Sequence, residues 1–269
     1  MKGNEMRAGI IGMGHLGKAV LAGFLRSGMN PEQMMVSART EKTLQMVRDS
    51  FPGVAVTTDN KELVLKTDVV IVVLRPQDAR EVLGELKDLS FSDKTIVSLM
   101  AGVRISDIRE MLQDIHGKYH IVRMMPNVAV SLCKGVIGVS SEEDKGQIVN
   151  ALGMFEKLGY LVYLPEDDLE KVTICAASGL GFAAFVMKQY MDSCNRLFMD
   201  EMVSEEITKR VFETTVEIIR NDDSSFEKLV GQISTKGGTT EAGINILKQR
   251  DLGNIFDDCM NEAISRVRN

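Results

Sequence analysis

The sequence predicts a two-part α/β protein: a doubly wound, mostly parallel sheet followed by an all-α domain. Three observations carry that prediction. Short β-rich runs alternate with amphipathic segments through the first half, the rhythm of βαβ units and a parallel sheet. A glycine-rich turn joins the first such run to the first amphipathic segment. Beyond about Asp167 the strand signal fades, and apolar residues recur at helical spacing.

In chain order, the expected strands are Arg7–Gly12, Met34–Ala38, Val54–Thr57, Asp68–Leu74, Thr95–Met100 and His120–Met124. The amphipathic segments between them are Leu16–Ser27, Glu41–Ser50, Lys61–Lys66, Asp78–Leu86 and Ile105–Ile115. The run VVIVVL at 69–74 is apolar on both faces, as a central parallel strand should be. Gly135–Ser140, Asn150–Lys157 and Tyr160–Leu164 close this half. A boundary near Pro165 then divides residues 1–165, the sheet domain, from residues 166–269, the helical domain. In the second, Val203, Ile207, Val211, Phe212, Thr215, Ile218 and Ile219 fall three and four apart, one stripe of a helix. Such a bundle is as able to bury a partner subunit as its own core.

Bulk composition narrows the function. The chain has 269 residues, 44% hydrophobic and 26% charged, with a formal net charge of -6. Nucleic acid is excluded as a partner on this balance, because phosphate binding needs a basic face. Four cysteines show no CxxC pair and no metal-ligand spacing with the three histidines. They are expected to be reduced thiols packed in a cytosolic protein, with no metal. The uncharged stretch Val172 to Met187 has 16 residues, short of the roughly 20 that span a bilayer. It reads as a buried helix, with no membrane partner.

The opening turn carries the first chemistry. AGIIGMGHLGKAV at 8–20 sets Gly12, Gly14 and Gly17 in a G-x-G-x-x-G pattern between a strand and a helix, the context that a dinucleotide fingerprint requires. Gly12 permits the tight turn, Gly14 lets backbone approach the pyrophosphate, and Gly17 brings helix against strand. Unpaired N–H groups at the helix start favour the anion. Met13, His15 and Leu16 share the turn. At the end of the second strand, VSARTEK offers Ser37, Arg39 and Thr40 and no carboxylate. Arg39 is suited to a 2′-phosphate, which selects NADPH, with NADH possible. Glu41 opens the next helix beside the N-cap candidate Thr40.

Open α/β sheets bind ligands where strands end. LRPQDA (74–79), SLMAGV (98–103) and RMMPNVAV (123–130) follow successive strands. Leu74, Arg75, Pro76, Gln77 and Ala101 thereby join Asn60 in the candidate cofactor site. Far downstream, KGGTT at 236–240 is a loop stripped of side chains. Successive exposed N–H groups make an anion-binding nest, and a helix starting near Thr240 adds its dipole. Its local geometry also reads as a plain helix connection, glycine at a C-cap and threonine at the next N-cap.

The glycine turn, RPQ, MPN and above all KGGTT together resemble the pyrroline-5-carboxylate reductase family, from Gly9 to about Arg266. The resemblance implies a Rossmann domain followed by a helical dimerisation domain, and a homodimer that assembles in some members into rings. It implies NAD(P)H-dependent hydride transfer to the C=N bond of 1-pyrroline-5-carboxylate, a small anionic cyclic imine, giving L-proline. Gly237, Gly238 and Thr239 would then bind the substrate carboxylate, with Asn127 nearby. Thr240 corresponds to the threonine whose hydroxyl lies beside the imine nitrogen, the catalytic candidate. His15, His116 and His120 are expected at the surface or in packing.

The chain departs from the family pattern in three places. SGLGFAAF at 178–185 stands where members have Ser-Gly-Ser-Gly-Pro-Ala-Tyr. Asn127-Val128-Ala129 replaces Asn-Thr-Pro, and GHLGKA replaces Gly-Asn-Met-Ala. These changes remove polar groups, and an apolar pocket discriminates weakly. A diverged paralog that binds NADPH but turns over another substrate, or none, therefore stays open. A β-hydroxyacid dehydrogenase would need a lysine with an asparagine one helical turn on; Lys188 is followed by Met191, Asp192 and Ser193 at those spacings, and Asn195 comes seven residues on.

Overall fold

The structure is a computed structural model and describes residues 6–113, 118–198, 200–221 and 225–267. His116 and the expected end of the Ile105–Ile115 helix lie outside the described residues. The chain divides into two compact units, Met1–Ala177 and Ser178–Asn269.

The first unit is built on eight strands: β1 Ala8–Ile11, β2 Met34–Ser37, β3 Ala55–Thr57, β4 Val69–Val72, β5 Thr95–Ser98, β6 His120–Pro126, β7 Gly135–Ser141 and β8 Gly159–Tyr163. Their order is β3-β2-β1-β4-β5-β6-β7-β8. Every pairing is parallel except β6 with β7. Helices α1 His15–Arg26, α2 Glu41–Ser50, α3 Asn60–Lys66, α4 Pro76–Gly84, α5 Ile105–Leu112 and α6 Val149–Glu156 connect them, and α7 Leu169–Val172 follows β8. The mostly parallel, doubly wound reading of the sequence is what forms.

Alternate residues of the central strands feed two cores, one on each face. Val69 and Ile71 of β4 join Ile10, Val36 and Phe24 in one. Val70 and Val72 join Ile11, Leu63 and Ile96 in the other. That two-sided burial is why VVIV is uniformly apolar and β-branched. Helix starts are fixed locally: Thr40 accepts a hydrogen bond from the Thr43 N–H at 3.3 Å to begin α2, and Asp59 accepts from Lys61 at 2.8 Å to begin α3.

Where β8 ends, a buried arginine ties down the chain. Arg123 on β6 donates to Glu166 at 3.1 Å and to Glu170 at 2.7 Å. The two carboxylates reach further: Glu166 accepts from the Ile105 N–H at 2.8 Å, and Glu170 from the Gly102 N–H at 3.2 Å. The turn after β5 and the start of α5 are thus pinned to the segment that leaves the sheet.

The second unit holds α8 Gly179–Phe198, α9 Glu201–Asn221, α10 Phe226–Ile233, α11 Thr239–Gln249 and α12 Leu252–Val267. Tyr190 of α8 meets Phe212 of α9 edge to face, centroids 5.7 Å apart. Among the described residues of this unit, burial reaches Cys194, Ser204, Thr208 and Leu229, while Phe185, Leu197, Met202, Phe226 and Ile246 are exposed. The stretch expected to be a buried helix is therefore helical, but only Val172 and Ile174 of it are buried. The helical run Glu166–Leu197 is also long and apolar enough to cross a membrane by length and composition, longer than the uncharged stretch suggested, because the helix continues through Lys188. Cys175 and Cys259 are exposed rather than packed.

Candidate functional site

The carboxyl ends of β1, β2 and β4 converge. Ile11 is in register with Ser37 on one side and Val72 on the other, so the chain leaves the sheet here in opposite directions. Gly12 turns it with φ +103°, and a Cβ there would stand 2.2 Å from the Val73 carbonyl oxygen. Gly17 sits so close under the turn that a Cβ would meet the Gly12 carbonyl oxygen at 2.2 Å. Gly14, between them, is different: a Cβ would touch nothing within 4 Å. It is the N-cap of α1 and provides no side chain to the first-turn N–H groups. The three glycines thus divide as the fingerprint requires, two for folding and one left open for a ligand.

A cavity of about 700 Å³ opens beside this turn. Of the residues proposed from sequence for the cofactor, Gly12, Met13, Gly14, Ser37, Arg39, Thr40, Asn60, Leu74 and Arg75 line it. Ser37 is buried and its hydroxyl donates to the Asn60 Oδ1 at 2.6 Å, which fixes Asn60 at the rim. His15, Leu16 and Gly17 continue into α1, Pro76 and Gln77 begin α4, and Ala101 stands in the turn after β5. These six are not in the cavity wall. Ile11, Ala38, Thr43, Thr58, Asp78, Glu81, Val82 and Glu85 complete the wall; the sequence reading did not assign them to the site.

Asp78 is the member with the most consequence. It accepts from the Arg75 Nε at 2.9 Å and from the Arg39 Nη2 at 3.4 Å. Both arginines are exposed, whereas Asp78 is mostly covered. The bond from Arg75, then its charge and those of Arg39, hold the Asp78 carboxyl below the ordinary range against its desolvation. Asp78 in turn raises the Arg75 guanidinium. A signal was present in the sequence: Arg75 and Asp78 are three apart at a helix start, where such pairs meet.

In the second unit, the late glycine loop forms a tight connection between α10 and α11. Gly237 has φ +75°, and Gly238 is the N-cap of α11 with no side-chain cap. The cap is therefore glycine, not threonine, and the helix begins at Thr239. The Gly237 N–H donates to the Glu241 carboxylate at 2.7 Å, and the Gly238 N–H to the Thr235 carbonyl at 2.9 Å. Thr239 is exposed and Thr240 half-buried in the first turn, where a helix has N–H groups without intrahelical acceptors.

Asn127 lies elsewhere in its chemistry. It is 4% exposed, its Nδ2 donates to the Ala176 carbonyl at 3.0 Å, and its Oδ1 accepts from the Val136 N–H at 3.2 Å. Both ends of its amide serve the fold. His15 is exposed; His120 pairs through Nδ1 with Glu143 at 3.1 Å.

Comparison with known proteins agrees over the whole length. Residues 7–102 match a family described as NADP oxidoreductase, coenzyme F420-dependent. Residues 166–269 match the pyrroline-5-carboxylate reductase dimerisation family. A pyrroline-5-carboxylate reductase of Staphylococcus haemolyticus is 30% identical, covering 97% of this chain and 96% of that protein; one of Staphylococcus saprophyticus is 29% identical over the same shares. Among solved structures, a pyrroline-5-carboxylate reductase of Coxiella burnetii superposes with TM-score 0.88 at 26% identity, covering 98% of both chains. The Plasmodium falciparum pyrroline carboxylate reductase, solved with NADP bound, shares the fold at TM-score 0.84 and 18% identity, over 98% of this chain and 97% of that one.

Proposed function

We infer from the pyrroline-5-carboxylate reductase family, to which this chain belongs, that it reduces the C=N bond of 1-pyrroline-5-carboxylate to give L-proline. It is an oxidoreductase dependent on a pyridine nucleotide. One observation supports this most: α1 and α11 each begin on a glycine N-cap without a side-chain cap. A chain with net charge -6 thereby offers two helix N-termini to anions, that of α1 with no acidic residue in its first turn and that of α11 beside Glu241.

The residues present fit the nucleotide. Gly14 leaves the space that the pyrophosphate needs, and the α1 first turn receives its charge. Ser37, Asn60 and Thr40 line the cavity and are proposed to meet the ribose, and Arg39 is assigned to a 2′-phosphate, hence NADPH over NADH. When bound, the reduced nicotinamide supplies the hydride. The chain's part is to hold the imine's carboxylate, for which Thr239 and the α11 first turn are proposed; the Gly237 and Gly238 N–H groups join only by exchanging their bonds to Glu241 and Thr235. Thr240 is proposed to place its hydroxyl beside the imine nitrogen, favouring the protonated form.

The proposed assembly is a cytoplasmic homodimer. Lys188 and Asp192, paired at 2.6 Å on the long apolar run, put two charges where lipid would have to accept them, which favours a protein partner. NADPH oxidation with 1-pyrroline-5-carboxylate, followed by absorbance with proline measured as product, tests the activity. Thr240→Ala should lower kcat/KM about a hundredfold, the loss of one positioned proton-handling group, with NADPH affinity held. Tight NADPH binding without proline formation by the wild type would instead favour a non-catalytic paralog.

A further inference from the structure

NAD-selective folds place a carboxylate at the end of the second strand, on the adenine ribose. Here that position is Arg39, yet a carboxylate reaches the same cavity wall from another element. Asp78, in the first turn of α4, bonds Arg75 at 2.9 Å and Arg39 at 3.4 Å. All three line the cavity together with Ser37 and Asn60. Two cations and one anion leave a single net positive charge at this corner. Glu81 of the same helix and Glu85 at its C-cap line the cavity too.

We propose that Asp78 sets the nucleotide preference, by occupying the two guanidinium groups that a 2′-phosphate must claim. The proposal rests on the reading of Arg39 as a 2′-phosphate group. A ribose bearing a free 2′-hydroxyl leaves the Arg75–Asp78–Arg39 bridge in place and can donate to the carboxylate. A 2′-phosphate has to draw both arginines away from Asp78 and sits close to a like charge. The bridge therefore costs NADPH part of its advantage and leaves NADH usable. The pairs are exposed enough that each is worth little by itself, which makes the arrangement a trimming device and not a lock.

The test is fluorescence titration of NADPH and NADH, without substrate, on the full-length protein. Asp78→Asn should tighten NADPH about fivefold, the scale of releasing an exposed ion pair, and leave NADH within about twofold or weaken it. The same substitution in an Arg39→Ala background should gain clearly less, since one of the two contested groups is gone. An unchanged or weakened NADPH affinity in Asp78→Asn overturns the proposal. So does an equal gain in both backgrounds, which would mean plain charge repulsion. Arg39→Ala alone separates the two levels: it should weaken NADPH more than NADH. Equal weakening would remove the 2′-phosphate reading itself, whereas selective weakening with a neutral Asp78→Asn would remove the bridge alone. Unaltered thermal unfolding in each variant shows that the fold is intact.

Discussion

Arg123 is the largest fully buried side chain among the described residues, and it is a charged one. Burying a guanidinium is costly unless anions meet it. Glu166 and Glu170 do so, while its Nε lacks a partner among the described residues. Burial alone would raise the Glu170 carboxyl; the bond and charge of Arg123 and the Gly102 N–H outweigh it and leave the group below its ordinary 4.5. A carboxyl depressed on folding stabilises above its unfolded value and loses that contribution as pH falls through the folded one. Glu170→Gln should therefore cost about 2 kcal/mol near neutrality, the scale of a charged hydrogen bond. The gap from wild type should narrow as urea unfolding is repeated at lower pH, below about 4.5; a constant gap would contradict this account. Such triads are illegible in a single sequence, since Arg123 and Glu170 are far apart along it. Arg39 was legible from its place after a strand, and the spacing of Arg75 and Asp78 signalled that pair, but the bond from Arg39 to Asp78 was not legible, because the two come from different elements.

Taken as an element, the strand–turn–helix at 8–26 was readable almost residue by residue. Pattern and backbone need coincide there: each glycine answers a distance that a Cβ would violate or a space that it would fill. The two kinds of glycine make separable predictions. Gly17→Ala forces a methyl against the Gly12 carbonyl and should destabilise by about 3 kcal/mol, the upper range for overpacking. Gly14→Ala has open space and φ -72°, so stability should hold within about 0.5 kcal/mol. Nucleotide affinity should nevertheless fall about tenfold, because the methyl enters the approach to the pyrophosphate. Thermal unfolding and nucleotide titration on both variants check this; a Gly14→Ala protein that binds like wild type removes the assigned role. The late loop was less legible. Its glycines announced a bare helix start, but only coordinates show that Thr235 and Glu241 already satisfy the Gly237 and Gly238 amides.

The molecule as a whole is unevenly built. The sheet unit has two full cores, while the helical unit buries Cys194, Leu229 and two small polar residues among those described. Periodicity reported the stripe on α9 faithfully, yet it does not say whose surface covers a stripe. The stretch at 172–187 likewise read as buried, yet only Val172 and Ile174 of it are. If a second copy completes the helical unit, folding and association are one equilibrium. The unfolding midpoint should then rise with protein concentration, gaining about 1.4 kcal/mol per tenfold. Calorimetry across a hundredfold dilution series measures this, and a midpoint that ignores dilution would argue for a self-sufficient monomer.

The thinly filled helical unit also bears on what one damaged gene copy does. A chain whose interior is finished by its neighbour shares that neighbour's fate. If a second copy completes that unit, a variant that keeps α8–α12 intact but lacks a working glycine turn would still recruit normal chains, and would spoil more of the pool than its own numbers.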